Sequence, residues 1–147
     1  MNDLMVFSMI QLIVTWILIG IIWFTQIVHY PLYTKIKEGF IEYERCHIRR
    51  TAYLFFPLML IELITAIVLV GLVSEVNVTR LAFVNLFLLI IIYLMTFLLQ
   101  IIQHQKLSIG FSKKLLHALI ASNWIRALLW TCKGGIMIAL MSFLFPS

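Results

Sequence analysis

Protons and negative charge are handled best, in this chain of 147 residues, by His29, His47, Arg50 and Arg126. A neutral imidazole can accept a proton, and a guanidinium can stabilise the oxyanion that a deprotonated substrate leaves behind. These four are the candidate catalytic residues. Gln26, Gln100 and Asn123 supply amide groups that could orient a bound molecule, and Trp130 supplies an aromatic face beside them. Together they form the candidate substrate-binding set. The stretch Gln26 to Arg50 is the densest in such chemistry, with two histidines, five basic residues and three glutamates.

Two further charges lie far inside apolar runs. An ionised Glu62 in mid-membrane costs at least about 2.5–3.5 kcal/mol and so calls for protonation or a partner. Lys133 is the only other charge at comparable depth. With Arg50 and Arg126 as depth markers, the two differ by about 7.5 Å along the helix axis at 1.5 Å per residue, nearly the reach of a lysine. A buried Glu62–Lys133 ion pair is expected. His29, His47 and His104 could in principle hold haem or a metal, but no HxxxH or HxxEH spacing occurs and no cysteine or carboxylate stands beside them in a ligand pattern. No metal site is assigned, and hydrogen-bonding histidines are the favoured alternative, for His117 as well.

The elements that must position these residues are helices in a bilayer. Hydrophobic residues make up 63% of the chain and charged residues 12%, far from the composition of a soluble domain. Four apolar runs give one transmembrane domain over 1–147, with spans at about 4–30, 51–73, 80–104 and 123–145. The acidic N-terminus reads as part of a retained helix, not a signal peptide. Pro31 is expected to end the first span. The segment around Lys113, Lys114 and His117 is expected to form a short amphipathic helix on the membrane surface. Polar residues recur at helical spacing in every span: Thr15, Gln26 and His29; His47, Thr51, Glu62 and Thr65; Asn85, Tyr93, Thr96, Gln100 and Gln103; Asn123, Arg126, Trp130 and Lys133. Each helix therefore has one polar edge, and the economical fold is an all-α, integral membrane four-helix bundle with a polar seam.

The net charge of +5 is spent on topology and lipid contact, not on nucleic acid. Lys35, Lys37, Arg45, Arg49 and Arg50 fall in or beside the first connection, and Lys106, Lys113, Lys114 and Arg126 in or beside the third. That asymmetry predicts a multi-pass cell-membrane protein with these two connections cytoplasmic and both termini outside. Cys46 and Cys132 have no paired spacing and read as packing residues. The lipid bilayer is the expected partner. A hydrophobic small molecule and a homo-oligomer are both compatible with the sequence, which specifies neither.

The halves can be overlaid as helix, Gln-Ile-[Val/Ile], a polar residue, Gly-Phe, a surface segment, [His/Asn]-x-x-Arg and helix, with gaps on either side of Gly39-Phe40 and Gly110-Phe111. Two repeated two-helix units would bring Gln26, His29, His47 and Arg50 together with Gln100, Asn123 and Arg126 at the cytoplasmic ends of the helices.

Four motifs run along the chain: Gln26-x-Val28-His29-Tyr30-Pro31-Leu32-Tyr33; Phe40-x-x-Tyr43 with His47-x-Arg49-Arg50-Thr51; Pro57-x-Met59-x-x-Glu62; and Asn123-Trp124-Ile125-Arg126-x-x-x-Trp130-Thr131-x-x-Gly134. In these the chain resembles a group of small bacterial four-span membrane proteins without assigned activity, distantly similar to the anthrone-oxygenase-like membrane family. The resemblance implies a four-span bundle. It also implies oxidation of a polycyclic phenolic carbon by dioxygen without an obvious cofactor. Gln103-His104-Gln105-Lys106 departs from the Val-Pro-Leu-Asn pattern commoner after the third span. Three classes follow: an oxidoreductase or oxygenase acting on a hydrophobic aromatic or quinone-like molecule; a small proton-coupled transporter using Glu62; or a non-catalytic accessory membrane subunit.

Overall fold

The computed structural model describes residues 3–145. Four helices fill it: α1 Asp3–Tyr33, α2 Phe40–Leu72, α3 Val76–Leu107 and α4 Lys113–Leu144, each long and apolar enough to cross a membrane. The connections are short, over 34–39, 73–75 and 108–112, so successive helices must run antiparallel. Each helix packs on two neighbours, α1 on α2 and α4, α3 on α2 and α4, which makes a square up-and-down bundle. Among the described residues there is no strand. The chain is an all-α, multi-pass membrane protein.

Lipid is the medium that the outer faces require. Ile13, Phe24, Leu60, Phe87 and Leu98 all stand exposed, a girdle that water would not tolerate at this density. Inside, three apolar layers stack along the bundle. Leu69, Val78, Ala82, Met137 and Leu140 fill the end that holds the termini. Leu18, Ile22, Ala66, Leu89 and Trp130 belong to the centre. Tyr30, Tyr33, Phe40, Leu107 and Leu116 fill the far end.

The helices outrun the spans expected for them. At about 1.5 Å per residue, helices of 31 to 33 residues are roughly 46–50 Å long, against a hydrocarbon core of about 30 Å. The segment expected to lie flat on the membrane around Lys113 is instead the first turns of α4. Its helical spacing was legible, but its continuity with the next span was not, because nothing between Ser112 and Phe145 interrupts the helix. Ser112 caps α4 by accepting from the Leu115 amide at 3.3 Å. Glu75 caps α3 in the same way; the amides of Val78 and Asn77 hold its carboxyl below the usual carboxylate range. At the start of α2, Gly39 has φ +69°, a left-handed conformation that any side chain would strain.

Pro31 does not end α1, because the helix reaches it through a π-helical turn over Thr25–His29. A second π turn interrupts α3 over Thr96–Gln100, where no proline follows, so proline is not what creates such turns. Both begin with a threonine whose hydroxyl donates to the carbonyl four residues back, Thr25 to Ile21 and Thr96 to Ile92, each at 2.8 Å. Such back-bonding competes for the carbonyls of the helical ladder and loosens it. The next amides then close i to i−5 bonds, Tyr30 onto Thr25 and Ile101 onto Thr96. Each turn adds one residue to the count, so the inward face of α1 passes from Gln26 to Tyr30 and Tyr33.

Candidate functional site

At the level of the two π turns the bundle holds an open cavity of about 880 Å³ between α1, α2, α3 and α4. One part of its wall is apolar: Trp16, Ile17, Gly20 and Phe24 of α1, Leu54 and Phe56 of α2, and Phe97 of α3. Trp16, Ile17, Phe24, Leu54, Phe56 and Phe97 are also exposed on the outer surface, so this part leads out to lipid. The other part is polar: His29, Tyr30, His47, Thr51, Gln100, His104, Asn123 and Arg126.

The polar wall is organised by two chains of hydrogen bonds. In the first, Asn123 Nδ2 donates to Gln26 Oε1 at 2.7 Å, and Arg126 Nη1 donates to Asn123 Oδ1 at 3.0 Å. Gln26 thus sets which way the Asn123 amide faces, and Asn123 fixes the guanidinium. In the second, Glu44 is fully buried behind His104, whose Nδ1 lies 2.6 Å from Glu44 Oε1. Tyr33 donates its hydroxyl to the other Glu44 oxygen. With Nδ1–H given to a carboxylate, the lone pair of His104 resides on Nε2. That nitrogen lies 3.4 Å from the Tyr30 hydroxyl, which in turn donates to Gln100 Oε1 at 3.2 Å. Gln100 Nε2 is anchored on Ser122 Oγ at 2.7 Å.

The three histidines meet here. His29 and His47 stack with ring centroids 4.6 Å apart and planes 20° from parallel, and His104 follows at 5.3 Å from His47. Iron between two axial imidazoles needs a nitrogen lone pair from each, and a lone pair lies in the plane of its ring. His29 and His47 present faces to one another, which does not fit a haem between them. Among the described residues no three His, Cys, Asp or Glu side chains are disposed to hold one metal ion.

Not every candidate lies at the cavity. Arg50 is exposed and outside the lining. At about 100° per residue it lies off the arc of His47, Thr51 and Phe55 on α2. His117 is exposed on α4. Trp130 is buried in the central apolar layer, away from the cavity wall, with the Lys133 ammonium 5.6 Å from its ring centre. Lys133 and Glu62 are both fully buried and form an ion pair between α2 and α4, helices at opposite corners of the square. Thr15 completes it, donating to Glu62 Oε1 at 2.6 Å and accepting from Lys133 Nζ at 3.1 Å. The pair lies outside the cavity lining.

Glu44, Tyr30, Tyr33 and Ser122 were not legible as site residues. Glu44 sits among Glu42 and Arg45 in a stretch that reads as a solvated loop, and only the start of α2 at Phe40 turns it inward. Tyr30 is hidden by the π turn, since a uniform 3.6-residue period selects His29 in its place. The one available signal was Tyr30 and Tyr33 at i, i+3 directly beside His29. The chain matches no family model, no curated protein and no solved structure.

Proposed function

We propose that this protein binds, and carries out proton-transfer chemistry on, a hydrophobic aromatic or quinone-like molecule that enters the cavity from the bilayer. The observation that carries this reading is the division of one cavity wall into an apolar part continuous with the lipid-facing surface and a polar part holding three histidines and an arginine. Such a wall suits a molecule with an apolar body and one polar end. His104 is the proton acceptor at that end. Glu44 fixes its tautomer and stabilises the imidazolium that forms, as a carboxylate behind a catalytic histidine does. The resemblance to the anthrone-oxygenase-like family points to the same class of phenolic substrate.

The topology belongs to the same proposal. The basic residues of the first and third connections support a topology with the cavity's polar end toward the cytoplasm and both termini outside. A duplication of two-helix units is supported by an ungapped shift of 71 residues. It sets Thr25–His29 on Thr96–Gln100, Gly39-Phe40 on Gly110-Phe111 and Glu62 on Lys133. This register needs none of the gaps that the motif overlay requires.

Gly20 offers a direct test, because it lines the cavity and a Cβ built there meets nothing within 4 Å. Gly20→Phe should fill the apolar mouth without harming the fold. In nanodiscs, a benzoquinone with an isoprenoid tail and a photoreactive group should label the wild type on α1 and α2 and fail to label Gly20→Phe at unchanged thermal stability. Equal labelling of both proteins would exclude the cavity as the site.

A further inference from the structure

The cavity holds a cation whose counter-ion the protein does not supply. Arg126 is only 6% exposed and lines the polar wall. A guanidinium remains charged at any ordinary pH, and a buried charge is normally paired. Here, among the described residues, no carboxylate pairs with it: the buried carboxylates are Glu44, engaged by Tyr33 and His104, and Glu62, engaged by Lys133 and Thr15. Its one side-chain bond is to the neutral Asn123 amide, and its Nε has no partner. His29, on the same cavity wall, likewise has an unpartnered buried Nε2. Two residues with unspent nitrogens therefore line one cavity, one of them permanently cationic.

We infer that the ligand of this cavity is an apolar monoanion, bound as a phenolate, enolate or carboxylate, whose charged oxygen completes Arg126. The inference rests on the cavity being a ligand site, as proposed above, and adds what the ligand must carry. The guanidinium can offer the anion two parallel N–H groups, which a neutral carbonyl or ether cannot exploit fully. The stacked His29 offers a hydrogen bond to a second oxygen on the same ring. The apolar body then lies toward Trp16 and Phe24. A lipid phosphate could satisfy the same chemistry, so source and site have to be separated by experiment.

The test uses the full chain in nanodiscs and two probes of one skeleton: a 3-alkyl-2-hydroxy-1,4-naphthoquinone, anionic at neutral pH, and its neutral 2-methoxy ether. The acid should bind on the order of tenfold or more tighter than the ether, the range of a charge-assisted hydrogen bond. Arg126→Gln should erase the difference. Because that variant can lose stability, Asn123→Asp is the second arm. It sets a carboxylate beside the guanidinium, while the Gln26 amide can flip to donate to it. Asn123→Asp should raise thermal stability and weaken acid binding far more than ether binding, so that the acid's advantage disappears.

Acid and ether binding equally well to the wild type would overturn the inference and leave the cavity as a ligand site. Neither binding would overturn both. Unchanged acid preference in Asn123→Asp or Arg126→Gln would also overturn it. Acid binding that is strong in phosphatidylcholine discs and lost in phosphatidylglycerol discs would support the anion site and assign its resident to a lipid headgroup.

Discussion

Thr15, Glu62 and Lys133 show how a single residue choice propagates through this bundle. The ion pair joins opposite corners of the square, so it ties together two helices that otherwise make little contact. Removing one member leaves the other charge stranded in a layer of Leu18, Ala66 and Trp130, whereas removing both leaves only a packing defect. Lys133→Met should therefore destabilise the protein by about 3–5 kcal/mol, and Glu62→Gln combined with Lys133→Met by less, a positive coupling in a double-mutant cycle. Unfolding in mixed detergent micelles measures these variants and Glu62→Gln alone, and a double-mutant loss equal to the sum of the two single losses would show that the pair contributes no coupling. The two charges were conspicuous in the sequence because nothing else of their kind lies so deep. Glu44 was not, since a glutamate between basic residues at a helix start looks solvated until the fold buries it.

Where helix α4 meets α1 at Gly134 there is no free space for a side chain. A Cβ there would fall 2.5 Å from Ile19 Cδ1, with the Trp16 ring at 3.5 Å behind it. Small residues at such crossings let membrane helices pack backbone to backbone. Ile19 Cδ1 is the end of a flexible side chain, so Gly134→Ala should cost little: one methyl displaces another, and alanine is the better helix former. Gly134→Leu has no such relief and should destabilise by about 1–3 kcal/mol, read by the same unfolding assay. The helices themselves were legible, because four apolar runs in so short a chain leave no other fold. Their true lengths and the two π turns were not. A π turn shifts the phase of every residue after it, and the sequence carries no mark of where one forms, since Thr65 and Thr131 bond back to carbonyls in the same way inside regular α-helix. That single-residue shift is why a uniform helical period selects His29 as the buried residue where the structure buries Tyr30.

At the scale of the whole molecule, the cavity opens sideways to lipid through Trp16, Phe24, Leu54 and Phe56. The ligand proposed for it is thus dissolved in the membrane before it is bound. The concentration that governs occupancy is moles per volume of hydrocarbon, and water is only a reservoir that exchanges with it. At a fixed total amount of protein and of an apolar quinone that partitions almost wholly into lipid, doubling the lipid with empty vesicles that fuse with the sample halves the ligand's density in the bilayer. The apparent dissociation constant, expressed as total ligand, should then double. An apparent constant that did not change with the amount of lipid would show that the bound quinone does not equilibrate with the bilayer. Affinities for the proposed ligand acquire meaning only as mole fractions in the bilayer, and two laboratories using different lipid ratios should disagree by that ratio.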